Sequence, residues 1–502
     1  MIEMHDVAAI TAAEQAHADE LASGRLMERA ATAVAVEAAA LLAEVRGGAY
    51  GSRAVLLVGS GNNGGDALHA GARLARRGIR VDALCTSSNV HAGGSAALAT
   101  AGGRMLRWDP GDADQLALVN AADALIDGVV GIGARGALRE PAASLIAVAN
   151  AADALRIAVD LPSGIDADTG TVDGVAFDAD LTVTFAATKP GLLIAPGREH
   201  AGQVSVIDIG IDDALGEPAV LAMQAIDVAD CVPEPGVEDH KYVRGVVGIT
   251  AGSMRYPGAA LLCTGAALLA DIGMVSYLDR ADEVARMVVD RHPETVVVAS
   301  TGTPRVTAWA CGPGFEGIAG DAPAIESVLR TSLPVVLDAG ALTVLASDAS
   351  LRALIASRSA ATVLTPHEGE FARLGGGLEA GRLRGAQALA RTLDAVVVLK
   401  GPGTVIAAPD GTSFVDIAGT AALATAGSGD LLTGVIGSLL AGAQARGELS
   451  DVAEVARQAA AGCWIHGMAG RLAAEGGLPA TAESIGARVG AAVAAARRQP
   501  GE

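Results

Sequence analysis

Short apolar, β-branched runs recur along the chain, and each is followed by an alanine-rich stretch with apolar residues at helical spacing. In the first half the runs AVLLVG (54–59), IRVDALC (79–85), ADALID (122–127), LRIAVD (155–160) and LTVTFA (181–186) predict buried strands. Residues 64–78, 92–103 and 141–151 predict the helices between them. Near-continuous apolar strands with intervening helices predict a parallel sheet covered on both faces. A second series follows: GVVGITAG (245–252), TVVVAS (295–300), PVVLDAG (334–340), ATVLTP (361–366), AVVVLKG (395–401) and GTVIAAPDG (403–411). Long alanine-rich helices close the chain from Leu431 onward. The interval 212–240 carries PEPG (233–236), several acids and no clear period, which predicts a linker or domain edge. A chain of 502 residues also exceeds what one core sustains. The expectation is an α/β protein of two tandem three-layer αβα domains, residues 1–222 and 223–502.

Composition narrows the function classes. Apolar residues make up 51% but aromatics only 2%, so the cores are built from alanine, valine, leucine and isoleucine. The net charge of −21 argues against nucleic acid and anionic membranes, which want basic surfaces. An anionic substrate would have to be held by local backbone N–H groups against that field. Five scattered cysteines without a CxxC predict reduced, buried thiols and no metal site of their own. The start MIEMHDVAAITAAEQ lacks a signal peptide's basic and apolar regions, and the apolar stretch Tyr256 to Ala270 is too short to span a bilayer. A soluble, cytoplasmic protein without nucleic-acid or membrane partners is expected, and a homo-oligomer with it.

Only three of the 36 basic residues are lysines: Lys189 (TKPG), Lys241 (HKYVRG) and Lys400 (LKGPG). Codon bias accounts for the arginines. A lysine kept against it suggests a compact point charge, of the kind that contacts phosphate or takes part in proton transfer.

GSGNNGGDALHAG follows strand 54–58 and opens a helix. Its glycines permit a tight turn with outward N–H groups, and the helix N-terminus favours an anion. A helix-capping turn is the plainer alternative, since Asn and Asp cap helices well. IDGVVGIGARG (126–136) then places Asp127 at a strand end, and RIAVDLPSGIDADTG (156–170) ends a strand with Asp160. Loops at the carboxyl ends of parallel strands can converge on one crevice.

Together GNNGGD, DGVVGIG, VDLPSGID and TFAATKPG resemble the NAD(P)H-hydrate epimerase family over roughly residues 1–215. The resemblance implies a Rossmann-like fold that binds hydrated NADH or NADPH. By that resemblance Asn62, Asn63, Gly64, Gly65 and Asp66 cradle the dinucleotide, together with Gly131, Ile132, Gly133, Ala134, Arg135, Gly136 and Ala137. Asn63, Asp127 and Ser163 would bind a potassium ion, for which hard oxygen ligands suit. Asp160 would bind the hydrate and shuttle a proton at its hydroxylated C6 carbon, with Lys189 close by. Ala67 stands where the family usually carries another glycine.

TAGSGDLLTG (425–434) precedes a long apolar helix. Gly427 and Gly429 let backbone wrap a phosphate at the helix N-terminus. A carboxylate there, Asp430, serves better as a general base than as a phosphate binder, although a plain helix cap remains an alternative. In order, HKYVRGVVGITAGS, YPGAA, CGPG, VLDAGAL, LTPHEGEF and LKGPGTVIAAPDG resemble the ADP-dependent NAD(P)H-hydrate dehydratase family over about residues 223–502. This implies a ribokinase-like fold that removes water from the S-hydrate at the expense of ADP, with magnesium. By resemblance Asp430 is the base, and Ala259, Gly314 and His367 contact the hydrate. Lys400, Gly401, Pro402, Gly403 and Thr404 would hold the nucleotide, with Thr420, Thr425, Ala426, Gly427, Ser428 and Gly429. Thr420-Ala421-Ala422 replaces a frequent asparagine-proline-glycine. His367 could instead cap the next helix, and Glu368 and Glu370 could hold magnesium or form a solvated turn. The rival functions are a small-molecule kinase and a non-catalytic dinucleotide sensor.

Overall fold

A computed structural model describes residues 1–302 and 305–498. The chain divides into two compact units, Glu3–Ala219 and Val220–Glu502, and Met1 and Ile2 group with the second.

Seven strands form the first unit's sheet: β1 (Arg53–Val58), β2 (Arg80–Cys85), β3 (Arg104–Arg107), β4 (Ala124–Gly128), β5 (Leu155–Val159), β6 (Leu181–Phe185) and β7 (Gln203–Ile207). All pair in parallel, in the order β3-β2-β1-β4-β5-β6-β7. That is the doubly wound order of a Rossmann-like sheet, whose switch point lies between β1 and β4. Helix α1 (Val7–Ala16) is capped by Asp6, and α2 (Arg25–Arg46) and α3 (Asn62–Arg76) pack against one another over one face. Alanine keeps that layer thin: Ala30, Ala31, Ala35, Ala38, Ala67 and Ala70 are all buried in it.

The second unit carries β8 (Val220–Ala222), β9 (Val246–Thr250), β10 (Met274–Leu278), β11 (Val296–Val298), β12 (Ala308–Cys311), β13 (Val335–Leu337), β14 (Thr362–Leu364), β15 (Val396–Leu399), β16 (Val405–Ala407) and β17 (Ser413–Val415). Their order is β8-β17-β16-β15-β14-β13-β12-β9-β10-β11. The ladder is parallel from β11 to β15 and antiparallel at β15–β16 and β16–β17. This is the mixed, helix-covered sheet of a ribokinase-like unit. Helices α4 (Pro257–Leu269), α5 (Ser428–Arg446) and α6 (Val452–Ala473) cover it, and α5 is buried nearly all round.

Most of the expected strands lie where the alternation put them, within one to three residues. Three findings differ. The interval 212–240 does hold the edge between the two units, at Ala219 and Val220, but it also contains β8 and a helix at Ala225–Cys231. The parallel pairing expected of the first series does not extend through the second unit, where β16 and β17 pair antiparallel. Strands β3, β7, β10, β12 and β17 were not expected. Exposed edge strands such as β3 and β7 carry polar residues that mask the apolar run. Among the described residues no helix is long and apolar enough to cross a membrane. All five cysteines are free and buried.

Where β1 turns into α3, Gly59 lies against the loop after β4: a Cβ there would fall 1.8 Å from the Val129 carbonyl oxygen. No side chain fits without moving backbone. Gly59→Ala is expected to cost about 3 kcal/mol by urea unfolding of the first unit, as overpacking does. Gly48→Ala, which meets nothing within 4 Å, should stay within about 0.5 kcal/mol.

Candidate active sites

At the switch point the first unit gathers the end of β1, the loops after β4 and β5, and the start of α3. Asn63 donates from Nδ2 to the Val130 carbonyl at 2.8 Å. Asp127 is fully buried, accepting from Val129 N and Ser163 Oγ on Oδ1 and from Ser163 N on Oδ2 at 2.7 Å. Ser163 Oγ in turn accepts from Val130 N at 3.0 Å. Asn63, Asp127 and Ser163 are therefore one hydrogen-bonded cluster. Burial pushes Asp127 up to about 6, against the hydrogen bonds from Ser163 and Val129 that pull it down. A buried carboxylate flanked by neutral oxygens fits a monovalent cation as its missing counter-charge.

The segment 131–137 folds over this cluster. Gly131 lies against the Asn63 side chain. Arg135 ties the segment to the turn after β5, donating to Asp166 at 2.6 Å and Asp168 at 2.9 Å.

Asp160 follows β5 directly and has φ 65°, in the left-handed region. A non-glycine residue held there at a strand end is strained, which is common where a side chain must be aimed. Its Oδ1 accepts from Lys189 Nζ at 2.5 Å, Thr184 Oγ1 at 3.2 Å and Phe185 N at 3.2 Å. Lys189, 1% exposed, gives its other protons to Thr184 Oγ1 at 2.8 Å and the Phe185 carbonyl at 2.9 Å. All three ammonium donors are used, so Lys189 acts on Asp160 rather than reaching outward.

Two further carboxyls face this pair. Asp66, one turn into α3, is 9% exposed and its Oδ1 is buried without a hydrogen-bond partner. Glu14, half-buried on α1, is raised by burial and by Asp160, against a lowering by Lys189. Glu14 had no motif to announce it, because one acid on an amphipathic helix looks like any solvated position.

The second site forms where α5 meets the sheet. Gly427 caps α5 at φ 89°, and Asp430 lies in the first turn. A Cβ on Gly429 would come 3.3 Å from Lys400 Nζ and 3.6 Å from Asp338 Oδ2, which locates the glycine loop on that ion pair. Lys400 Nζ donates to Asp338 Oδ1 at 2.6 Å, while Thr433 Oγ1 donates to Asp338 Oδ2 at 2.8 Å. Asp338 is 1% exposed. Asp430 is pushed up to about 7, by burial first and then by Asp338, with Lys400 opposing. Asp338 was visible in the sequence only as a strand-end aspartate in VLDAGAL and had no assigned role.

The remaining expected residues fall around this core. Ala259 and Gly314 touch, since a Cβ on Gly314 would be 2.7 Å from that of Ala259. His367 is the N-cap of the helix Glu368–Arg373, with Nδ1 accepting from Gly369 N at 3.0 Å. Glu370 closes that capping box through His367 N at 2.9 Å, and Glu368 pairs with the buried Arg382. Both acids are thus engaged in protein contacts. Among the described residues no group of three His, Cys, Asp or Glu is arranged to hold a metal.

Arg382 also donates to the Lys400 carbonyl at 2.9 Å, fixing the loop from Lys400 to Thr404 through Gly401, Pro402 and Gly403. Below the second loop, α6 supplies Arg471, which donates to the carbonyls of Ala418 at 2.6 Å and Ile417 at 3.0 Å. His466, also on α6, meets Ser428 Oγ at 2.9 Å, and burial lowers its imidazole to about 4. Of the loop's expected residues, Ser428 and Thr420 thus rest on α6, Gly427 lies against Leu262 of α4, and Gly429 lies against Lys400. Thr425 and Ala426 lead into the start of α5. Neither helix position carried a sequence signal beyond its helical period.

A family model described as the YjeF-related protein N-terminus matches residues 23–191, and one described as NAD(P)H-hydrate dehydratase matches residues 247–487. The chain therefore joins two catalytic-domain families, one per unit. The bifunctional NAD(P)H-hydrate repair enzyme of Mycobacterium leprae is 43% identical over 82% of this chain and 84% of its own. Its Escherichia coli counterpart is 35% identical over 72% and 71%. An ADP/ATP-dependent NAD(P)H-hydrate dehydratase from Bacillus subtilis, co-crystallised with ATP and magnesium, is 31% identical, covering 55% of this chain and 99% of its own with a TM-score of 0.47. The chain belongs to the family of bifunctional NAD(P)H-hydrate repair enzymes.

Removing one partner of a buried ion pair strands the other. Lys189→Met is expected to cost the first unit about 3 kcal/mol in urea unfolding, because the buried Asp160 then loses its cation. Adding Asp160→Leu should restore a large part. A single variant as stable as wild type would show the pair contributes nothing.

Proposed function

We propose that the two units repair hydrated nicotinamide cofactors in sequence. The first (residues 1–222 on the sequence reading) interconverts the R and S hydrates of NADH and NADPH. The second (223–502) dehydrates the S epimer with ADP, giving NAD(P)H, AMP and phosphate. The observation that carries the reading is the second site's geometry: a carboxyl held near 7 on the glycine-rich start of α5, beside a buried lysine.

In the second unit the loops 400–404 and 420–429 bind the nucleotide, and Ala259, Gly314 and His367 position the hydrate. Asp430 takes the proton of the C6 hydroxyl, whose oxygen attacks the β-phosphorus as AMP leaves. The ring-nitrogen lone pair then expels phosphate from C6, and loss of a C5 proton restores the dihydronicotinamide. Magnesium, when bound with ADP, supplies neutralisation of phosphate charge. Lys400, paired with Asp338, keeps a positive charge at the glycine loop as negative charge moves to the leaving AMP.

In the first unit the segments 62–66 and 131–137 cradle the dinucleotide, and Asn63, Asp127 and Ser163 would hold potassium. A bound cation there supplies charge compensation to Asp127 and stiffens the loops that meet the substrate. Asp160, oriented by Lys189, exchanges a proton at C6. The chemistry is cytoplasmic, on small molecules alone, in a homo-oligomer.

Recovery of dihydronicotinamide absorbance from a mixed-epimer NADH hydrate is the direct test. Full recovery with ADP, magnesium and potassium supports the reading. A stall at the S fraction would remove epimerisation, and phosphorylated product accumulating without recovery would make the second unit a kinase. Asp430→Asn should abolish recovery and spare epimer exchange, whereas Asp160→Asn should do the reverse. Dehydration of pure S-hydrate should rise with pH through about 7, because Asp430 must lose its proton to act, and Asp430→Asn should erase that limb.

A further inference from the structure

Asp160 is the acid that sequence inspection favours for the first site, yet one of its oxygens is already fully engaged within the protein. Three donors converge on its Oδ1: an ammonium, a hydroxyl and a backbone N–H. Epimerisation at a carbon bearing both a hydroxyl and a ring nitrogen needs a second group of opposite kind. That group must lend a proton so the hydroxyl can leave as water.

Asp66 meets the requirement by position. It lies one turn into α3, the helix that follows β1, and Asp160 follows β5, so both stand near the carboxyl ends of strands separated only by β4. Its Oδ1 is buried with no hydrogen-bond partner in the protein. An orphaned buried oxygen is uncommon and asks for a partner that arrives from outside. We propose that Asp66 is the acid of the first site, exchanging a proton with the substrate's C6 hydroxyl while Asp160 serves as the opposing base. The proposal rests on reading that unit as an epimerase.

Two charged groups act on Asp66, Asp160 from the end of β5 and Glu14 from α1, while the charge of Lys189 is taken up by Asp160. Burial first, then Asp160 and Glu14, raise Asp66 well above the ordinary carboxylate range, the direction that favours the protonated form an acid needs. This is the logic of paired carboxyls whose surroundings drive their protonation apart.

In one direction Asp66 gives its proton to the C6 hydroxyl oxygen. The C6–O bond breaks, water departs, and the nitrogen lone pair closes a C=N bond. Water on the opposite face adds to C6 through an oxygen lone pair, the C=N electrons return to nitrogen, and Asp160 takes the surplus proton. The reverse reaction runs from Asp160 to Asp66, and exchange with solvent resets the pair. Nothing is consumed.

The test measures epimer interconversion by chromatography for wild type, Asp66→Asn and Asp66→Glu across pH, with melting curves for each. Asp66→Asn should lower kcat at least about 100-fold with KM within about threefold, the scale of a lost proton donor. Wild type should lose rate as pH rises and Asp66 ionises, and Asp66→Asn should lack that limb. Asp66→Glu, which keeps a carboxyl, should retain at least about tenfold more activity than Asp66→Asn. If Asp66→Asn keeps kcat within about fivefold, or changes only KM, Asp66 merely contacts substrate and the proposal falls. If Asp66→Asn melts far below wild type, Asp66→Glu and the wild-type pH profile decide: a flat alkaline limb overturns it. A wild-type enzyme that interconverts no epimers, although its second unit dehydrates S-hydrate, sinks the underlying reading instead, and the acid assignment goes with it.

Discussion

Each unit is organised around a buried lysine whose charge is committed to one aspartate. Lys189 with Asp160 and Lys400 with Asp338 both hold Nζ–Oδ separations of 2.6 Å or less, with little exposure on either aspartate. The pairing neutralises one carboxylate and leaves the next one in a site that is desolvated and still negative. Asp430 and Asp66 are those next carboxyls, and burial together with the paired aspartate lifts both. A site with the lysine alone would lower every nearby carboxyl, and one with the acids alone would be costly to bury. The pair allows proton chemistry near neutrality in an otherwise ordinary α/β scaffold.

The scaffolds deliver these groups in the same way. Parallel strands end on one edge of each sheet, so the loops after them meet without long excursions. Glycine makes the close approach possible, at Gly59 against Val129 and at Gly314 against Ala259. Alanine-rich helices then cover the sheets closely, which suits a chain with almost no aromatic volume. In the second unit α6 adds a floor, where His466 and Arg471 hold two loops in register from beneath.

Much of this was legible in the residues. Apolar β-branched runs located the buried strands, because a strand covered on both faces has no polar alternation to blur it. Two strands were missed for different reasons: β12 is only four buried residues long, and the edge strand β7 has an exposed polar side that blurs the apolar run. GNNGGD, VDLPSGID and TAGSGD marked their loops because tight turns and anion sites restrict residue choice. The scarcity of lysine pointed to Lys189 and Lys400, which do occupy buried polar clusters, while Lys241 lies exposed at the surface. The partners of those lysines were harder to read. Asp338 looks like any strand-end acid, and Glu14 and His466 act across distances in sequence that no local pattern encodes. At His367 the residues left two roles open, substrate contact and helix cap, and the structure shows the cap, made through Nδ1.

The order of β1 and β4 has a consequence for how the first unit folds. β1 pairs with β2 at once, but its other neighbour arrives only after β2 and β3 have been laid down on the far side. Ser163 meets Asp127 across 36 residues, Lys189 meets Asp160 across 29, and Asn63 meets Val130 across 67. Contacts of this span close late, because loop entropy is lost before any gain returns. The polar cluster is complete only once β1, β4, β5 and β6 stand side by side. Its integrity reports on the cooperativity of the whole unit, and no fragment that stops short of Lys189 contains it.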